Sequence, residues 1–136
     1  MKAIKLLFVI ALLALWSNKA YAQNNNGQAE PYAQIFTDQD KDFLQLWYYE
    51  QILKMDLDED GRDNYRTLLT YYTYRMGKLV LPKYGYSNAE QKTRFDDLTQ
   101  KLHAEMKDLL NDQNYAIHLE SFERIKEKVY KAKEWE

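Results

Sequence analysis

The sequence contains no cysteine among its 136 residues. Disulfides, thiolate zinc sites and cysteine nucleophiles are therefore excluded, as is the acyl anchor that some exported proteins carry on an N-terminal cysteine. The fold must be stabilised by its hydrophobic core alone. A chain of this length can form such a core within one domain.

Histidine is scarce as well, with two in the chain, and no catalytic motif is present. The sequence has no Ser-centred elbow, no glycine-rich phosphate loop and no HExxH pattern. Adjacent carboxylates such as Asp96 and Asp97 are typical of a solvated helix face. We therefore predict that the protein is not an enzyme and needs no cofactor.

Basic residues form no continuous stripe, because they alternate with acidic residues throughout the chain. Nucleic acids and anionic lipids attract clustered Lys and Arg, so both are disfavoured as partners. Removal of residues 1–22 takes away Lys2, Lys5 and Lys19, which leaves 16 basic against 21 acidic residues and a formal charge of −5.

Long apolar runs are also absent: the longest covers the 11 residues 6–16, well short of the ~20 that span a bilayer. Lys2 and Lys5 precede it, and Ala20 and Ala22 supply the small residues that signal peptidase requires. The pattern predicts a cleaved signal peptide over residues 1–22. We expect a periplasmic or secreted protein, with no membrane span after processing.

The helix starts and apolar spacing of the remaining chain predict an all-α domain of four helices in antiparallel hairpins, over residues 36–136. Residues 23–35 are polar and are expected to form a flexible leader. Four helix starts carry good N-cap residues: Thr37, Asp58, Ser87 and Asn111. A short loop over residues 81–86 separates the middle two helices, and the last two meet at the corner between Leu110 and Asn111.

Apolar residues behind these caps recur every three or four positions, as in amphipathic helices. The first helix is predicted to be the most buried, through Phe43, Leu44, Leu46, Trp47, Ile52 and Leu53. The second stripe is Tyr65, Leu68, Leu69, Tyr72, Met76 and Leu79. The last two stripes are Phe95, Leu98, Leu102, Met106 and Leu109, and Tyr115, Leu119, Phe122, Ile125 and Val129.

Two segments allow metal-binding interpretations. Residues 56–61 match the first half of an EF-hand loop, but Thr67 stands where the bidentate Glu belongs, and a helix cap explains the same acids. His103 and His118 are symmetric about the corner, so a hairpin would bring them to one level. A metal would need further ligands there, and the carboxylate candidates are Glu105, Asp108 and Glu120. The simpler interpretation places both histidines on the surface, and no metal site is favoured.

Tyrosine is abundant, with 12 residues. Four tyrosines lie beside the apolar stripes and are candidates for client binding: Tyr48, Tyr49, Tyr71 and Tyr74. Tyrosine offers a large contact area at low entropic cost, which suits an adhesive surface. The alternative is that these rings fill a wide helix interface.

With the predicted signal peptide, the helix starts resemble those of the LTxxQ-motif (Spy/CpxP-like) family of small exported helical proteins. Residues 110–115, LNDQNY, carry the best match, and residues 57–61, LDEDG, are a poorer copy. The resemblance implies helical hairpins that dimerise into a cradle. It also implies a chaperone-like or envelope-stress role, in which unfolded or partly folded envelope proteins are held without ATP.

Two other functions remain open. One is an interaction or structural module of the envelope that binds a single folded partner. The other is a periplasmic metal sensor that uses His103 and His118.

Overall fold

The computed structural model describes Ile35, Phe36 and residues 38–136. The predicted signal peptide, most of the predicted leader and Thr37 of the first predicted cap lie outside the described residues. Ile35, the last residue of the predicted leader, is buried. None of the helices in the described part combines the length and apolar character that a membrane crossing requires.

The described chain is all-α, as predicted, and its residues form no β-strand. Its four α-helices are α1 (Asp38–Lys54), α2 (Glu59–Gly77), α3 (Asn88–Leu109) and α4 (Asp112–Lys133). α2 ends two residues before Leu79, the last residue of its predicted stripe, and a 3₁₀ turn, Lys78–Val80, follows it. A second 3₁₀ turn, Pro82–Tyr84, lies within the predicted loop over residues 81–86.

Three predicted N-caps are confirmed. The Asp58 side chain accepts a hydrogen bond of 2.7 Å from the N–H three residues later, so the acids of the EF-hand-like segment begin a helix. Ser87 and Glu90 form a full capping box, with bonds of 3.2 and 2.8 Å. Asn111 accepts a bond of 2.8 Å from the N–H of Asn114. Each cap satisfies backbone donors that the first turn leaves unpaired.

The helices form an antiparallel bundle in which α1 packs against α4. Near the start of α1, Asp40 forms an ion pair of 2.9 Å with Lys128. Further along α1, the indole nitrogen of Trp47 donates to the carbonyl oxygen of Ser121 at 2.9 Å. Residue numbers therefore rise along α1 as they fall along α4.

The other extensive contacts in the bundle join consecutive helices. The Tyr72 hydroxyl of α2 donates to Glu105 of α3, and the Tyr130 hydroxyl of α4 donates to Asp96 of α3. Each bond joins helices that follow one another in the chain. Between α3 and α4, Asp96 pairs with Tyr130 and His103 with His118, so residue numbers rise along α3 as they fall along α4. The predicted antiparallel hairpins are thus confirmed.

The prediction that α1 is the most buried helix is wrong. Leu46 is 66% exposed and Leu53 is 86% exposed. Leu53 follows Leu44 by nine residues, which is about two and a half turns at 3.6 residues per turn, so the two face opposite sides. The buried face of α1 consists of Leu44, Trp47 and Gln51, and the buried Met55 follows the last residue of the helix.

The stripe predicted for α4 also needs correction. Leu119 is 37% exposed, whereas His118 is fully buried. The buried residues of α4 are Asn114, His118, Ser121, Phe122, Ile125 and Val129. At the corner, Leu110 is buried and Leu109 only half-buried. Three polar side chains therefore lie in the core face of α4, and His118 is buried where the sequence pattern predicts Leu119.

Substitution of Asn111 tests whether its cap stabilises the corner. Asn111→Ala is expected to lower the free energy of unfolding by about 1 kcal/mol, because an orphan N–H loses its acceptor. Asn111→Gly is expected to lower the free energy of unfolding by only a few tenths of a kcal/mol, since glycine is tolerated at N-caps. Urea denaturation measures both values. Equal losses for Ala and Gly would contradict the assignment.

Candidate functional site

A chain of three hydrogen-bonded side chains crosses the centre of the bundle. The hydroxyl of Tyr65 on α2 lies 3.0 Å from Nδ1 of His118 on α4. Nε2 of His118 lies 3.0 Å from Nδ1 of His103 on α3. Tyr65 and His118 are fully buried, while His103 is half-buried. These three hydrogen-bonded side chains therefore lead from the core towards the surface and join three helices.

Aromatic rings enclose this chain. The ring of Phe122 lies 5.8 Å from the His118 ring and 5.5 Å from the His103 ring, measured between centroids. Tyr115 stacks on His118 at 6.3 Å, and Tyr48 of α1 stacks on Tyr65 at 6.4 Å. The surroundings are apolar, so each polar atom in the chain depends on its neighbour for a hydrogen bond.

The positions of the protons follow from the number of donors and acceptors. The Tyr65 hydroxyl has no second partner among the described residues, so it donates to Nδ1 of His118. His118 then carries its own proton on Nε2 and donates to Nδ1 of His103. This assignment gives the Tyr65 hydroxyl proton and both ring nitrogens of His118 a partner, with both imidazoles neutral.

Burial favours the same neutral state. Removal from water, with a smaller contribution from the neighbouring His103, lowers the pKa of His118 from 6.5 to about 3. Burial also lowers the pKa of His103, although the nearby carboxylate of Glu123 opposes the shift. Burial raises the pKa of Tyr65. The pair is therefore uncharged at neutral pH.

The geometry confirms that the two histidines meet across the corner. The interpretation of both as surface residues is wrong for His118, which is fully buried because its spacing places it in line with Phe122. No three His, Asp or Glu side chains in the described part lie where they could hold a metal ion. Of the predicted extra ligands, Glu105 accepts the bond from Tyr72. The arrangement is a hydrogen-bonded pair, and neither histidine is assigned as a metal ligand.

The four candidate tyrosines lie on two helices. On α1, Tyr49 is 47% exposed and its ring meets the half-buried Tyr48 at 5.7 Å. On α2, Tyr71 is 52% exposed, and the ring of the half-buried Tyr74 carries the Lys78 ammonium at 4.1 Å. No ring contact joins the two pairs among the described residues. The structure therefore brings together Tyr48 and Tyr49 but does not form one surface from all four.

An exposed apolar stripe on α1 is absent from the sequence prediction. It consists of Leu46, Tyr49 and Leu53, which recur at spacings of three and four and therefore share one outward face. The spacing of these three residues is visible in the sequence, because α1 carries two overlapping apolar stripes of helical spacing. Assignment of every leucine to the core concealed the second stripe.

The described chain thus offers two features with functional potential, the buried Tyr65–His118–His103 chain and the exposed stripe of α1. The first feature consists of hydrogen-bonded, neutral side chains in the core, and the second is an apolar surface. Comparisons with protein-family models, with curated proteins and with solved structures found no match.

Proposed function

We propose that the protein is an exported, non-catalytic binding protein that holds apolar segments of unfolded or partly folded envelope proteins without ATP. The exposed stripe of α1 carries this proposal. Leu46 and Leu53 are the most exposed of the large apolar side chains that the structure describes. Apolar surface that remains outside a completed core is typical of an interaction site.

The opposite face of α1 makes the stripe a firm contact surface. Trp47, one residue after Leu46, is held by its bond to Ser121 and by an edge contact of 6.3 Å with Phe122. A bound segment therefore meets side chains on a helix that is already fixed to the bundle. Such preorganisation lowers the entropic cost of binding.

The chemistry of the stripe suits clients of varied sequence. Leucine and tyrosine contribute apolar contact, which is non-directional and scales with buried area. Spacings of three and four along a helix also suit an amphipathic client helix that lies alongside. Tyr48, at the edge of the stripe, extends the contact through its ring contact with Tyr49.

Suppression of client aggregation tests this function. Purified residues 23–136 are expected to reduce light scattering from a chemically unfolded client at near-equal molar ratio in metal-free buffer. The double variant Leu46→Glu and Leu53→Glu is expected to lose most of this suppression, because two charges then interrupt the apolar stripe.

Leu119→Glu provides the matched control. It adds a charge at an exposed leucine of α4, outside the stripe, and is expected to retain suppression. Absence of suppression by the unmodified protein across several clients, or equal loss in the control, would overturn the proposal. Tyr71→Ser and Tyr74→Ser test whether the α2 pair also contributes.

The shortness of the stripe favours one alternative function. Leu46 to Leu53 covers only about two turns of α1, which is enough for a single helix of one folded partner. An envelope interaction module of this kind would form a complex of fixed stoichiometry and would not suppress aggregation. A homodimer through the same stripe is a third arrangement, and light scattering of the purified protein after size-exclusion chromatography distinguishes it.

A further inference from the structure

We propose that His103 and His118 form a proton-excluding pair within the bundle, and that the folded state loses stability in mild acid because the pair takes up protons only when the helices separate. The inference requires no client and is independent of the proposed binding function. It rests on the geometry of the hydrogen-bonded chain that ends at the buried Tyr65 hydroxyl.

A first added proton breaks the match of donors and acceptors. If His103 receives it on Nδ1, that N–H must donate to Nε2 of His118. The proton of His118 then resides on Nδ1 and points at the Tyr65 oxygen. The Tyr65 hydroxyl proton loses its acceptor, and this hydroxyl has no other hydrogen-bond partner among the described residues. Protonation of His118 on Nδ1 leaves the same hydroxyl proton without a partner.

A second added proton is incompatible with the folded geometry. Both imidazoles would then carry protons on every ring nitrogen. The two nitrogens that face each other lie 3.0 Å apart, and two N–H donors cannot share that distance. The folded bundle therefore excludes the doubly protonated pair, whereas an opened chain gives each imidazole its own water.

The groups around the pair offer little compensation for a positive charge. They are Tyr48 from α1 through its contact with Tyr65, Tyr65 from α2, and Tyr115, Glu123 and Lys126 from α4. Glu123 favours a charge on His103 but Lys126 opposes it, and these two side chains lie 4.0 Å apart. No carboxylate in the described part forms an ion pair with either imidazole. A buried charge without a partner is costly.

The direction of the pH effect follows from proton linkage. The folded pair binds no proton near neutral pH, while an unfolded histidine binds one below a pKa of about 6.5. The folded state is therefore fully favoured above pH 6.5 and loses stability as the pH falls. Most Asp and Glu side chains titrate near pH 4. The interval between about pH 6 and pH 5 thus isolates the histidines.

Urea unfolding at several pH values between 7.5 and 5 tests the proposal. In the unmodified protein, the unfolding equilibrium constant is expected to rise as the pH falls below about 6. The expected rise is about tenfold per pH unit for each proton that the folded state excludes. Tyr65→Phe combined with His118→Leu removes the buried site and is expected to reduce this slope to that of one histidine or less. Ile125→Val, a core change without a titrating group, is expected to destabilise the protein equally at every pH.

A second variant and a direct measurement cover the case in which the double variant does not fold. His103→Gln replaces the half-buried member and is expected to retain the slope of His118 alone. In the unmodified folded protein at pH 5.5, the His118 Cε1–H resonance in NMR spectra is expected to remain at its neutral position. An unmodified protein whose unfolding constant changes less than twofold per pH unit, or a folded His118 that titrates near 6.5, would overturn the proposal.

Discussion

Replacement of Phe122 by Asp is expected to abolish the cooperative unfolding transition. The ring is fully buried and contacts the rings of Trp47, His103 and His118. Loss of a core phenylalanine costs about 3–5 kcal/mol, and the introduced carboxylate adds the penalty of an unpaired buried charge. Domains are stable by only about 5–15 kcal/mol. Thermal unfolding followed by circular dichroism measures the outcome.

Two leucines, one on α4 and one at the end of α3, supply graded controls for Phe122→Asp. Leu119→Asp lies three residues earlier on the same helix at an exposed position, and it is expected to retain a sharp transition. Leu109→Asp, at a half-buried position, is expected to fall between the two. A sharp transition in Phe122→Asp, or loss of the transition in Leu119→Asp, would show that the assigned core face of α4 is wrong.

The second large effect is expected for Trp47→Ala, with a loss of about 3–5 kcal/mol in the free energy of unfolding. Trp47 is almost completely buried, and it connects α1 to α4 through both its bond to Ser121 and its contact with Phe122. We expect α1 to detach before the other helices. Hydrogen exchange should then show faster exchange for amides of α1 than for those of α3.

Leu46→Ala is the matched control for Trp47→Ala. The two positions are adjacent in the chain, but Leu46 is exposed. Its truncation is expected to change the free energy of unfolding by no more than about 0.5 kcal/mol, as is usual for surface positions. Similar losses in the two variants would contradict the orientation of α1.

Much of the fold could be predicted because its determinants are local. N-capping depends on a few consecutive residues, and Asp58, Ser87 and Asn111 each begin a helix as predicted. The contact between His103 and His118 could also be predicted, since a tight corner places residues at equal distances from it side by side. Both inferences need only helix geometry and the position of a turn.

The remaining features depend on tertiary packing, which hydrophobicity alone does not specify. α1 is apolar on two sides, so the pattern cannot say whether Leu44 or Leu53 faces α4. On α4, His118 continues the spacing of Phe122 and Ile125, yet its polarity suggests a surface position. It is buried because Tyr65 and His103 satisfy both of its ring nitrogens. Those partners come from other helices, so no local pattern identifies them.

The pairing of α1 with α4 also affects the order of events during synthesis. Trp47 and Ser121 are 74 residues apart, and ribosomes add about 5–20 residues per second. Several seconds therefore pass between the appearance of α1 and that of its main partner. During this interval both apolar faces of α1 are exposed, because the helix that covers one of them has not yet been made. Closing so long a loop then adds an entropic cost to the pairing of α1 with α4. α1 can therefore reach its packed position only after α4 has been synthesised.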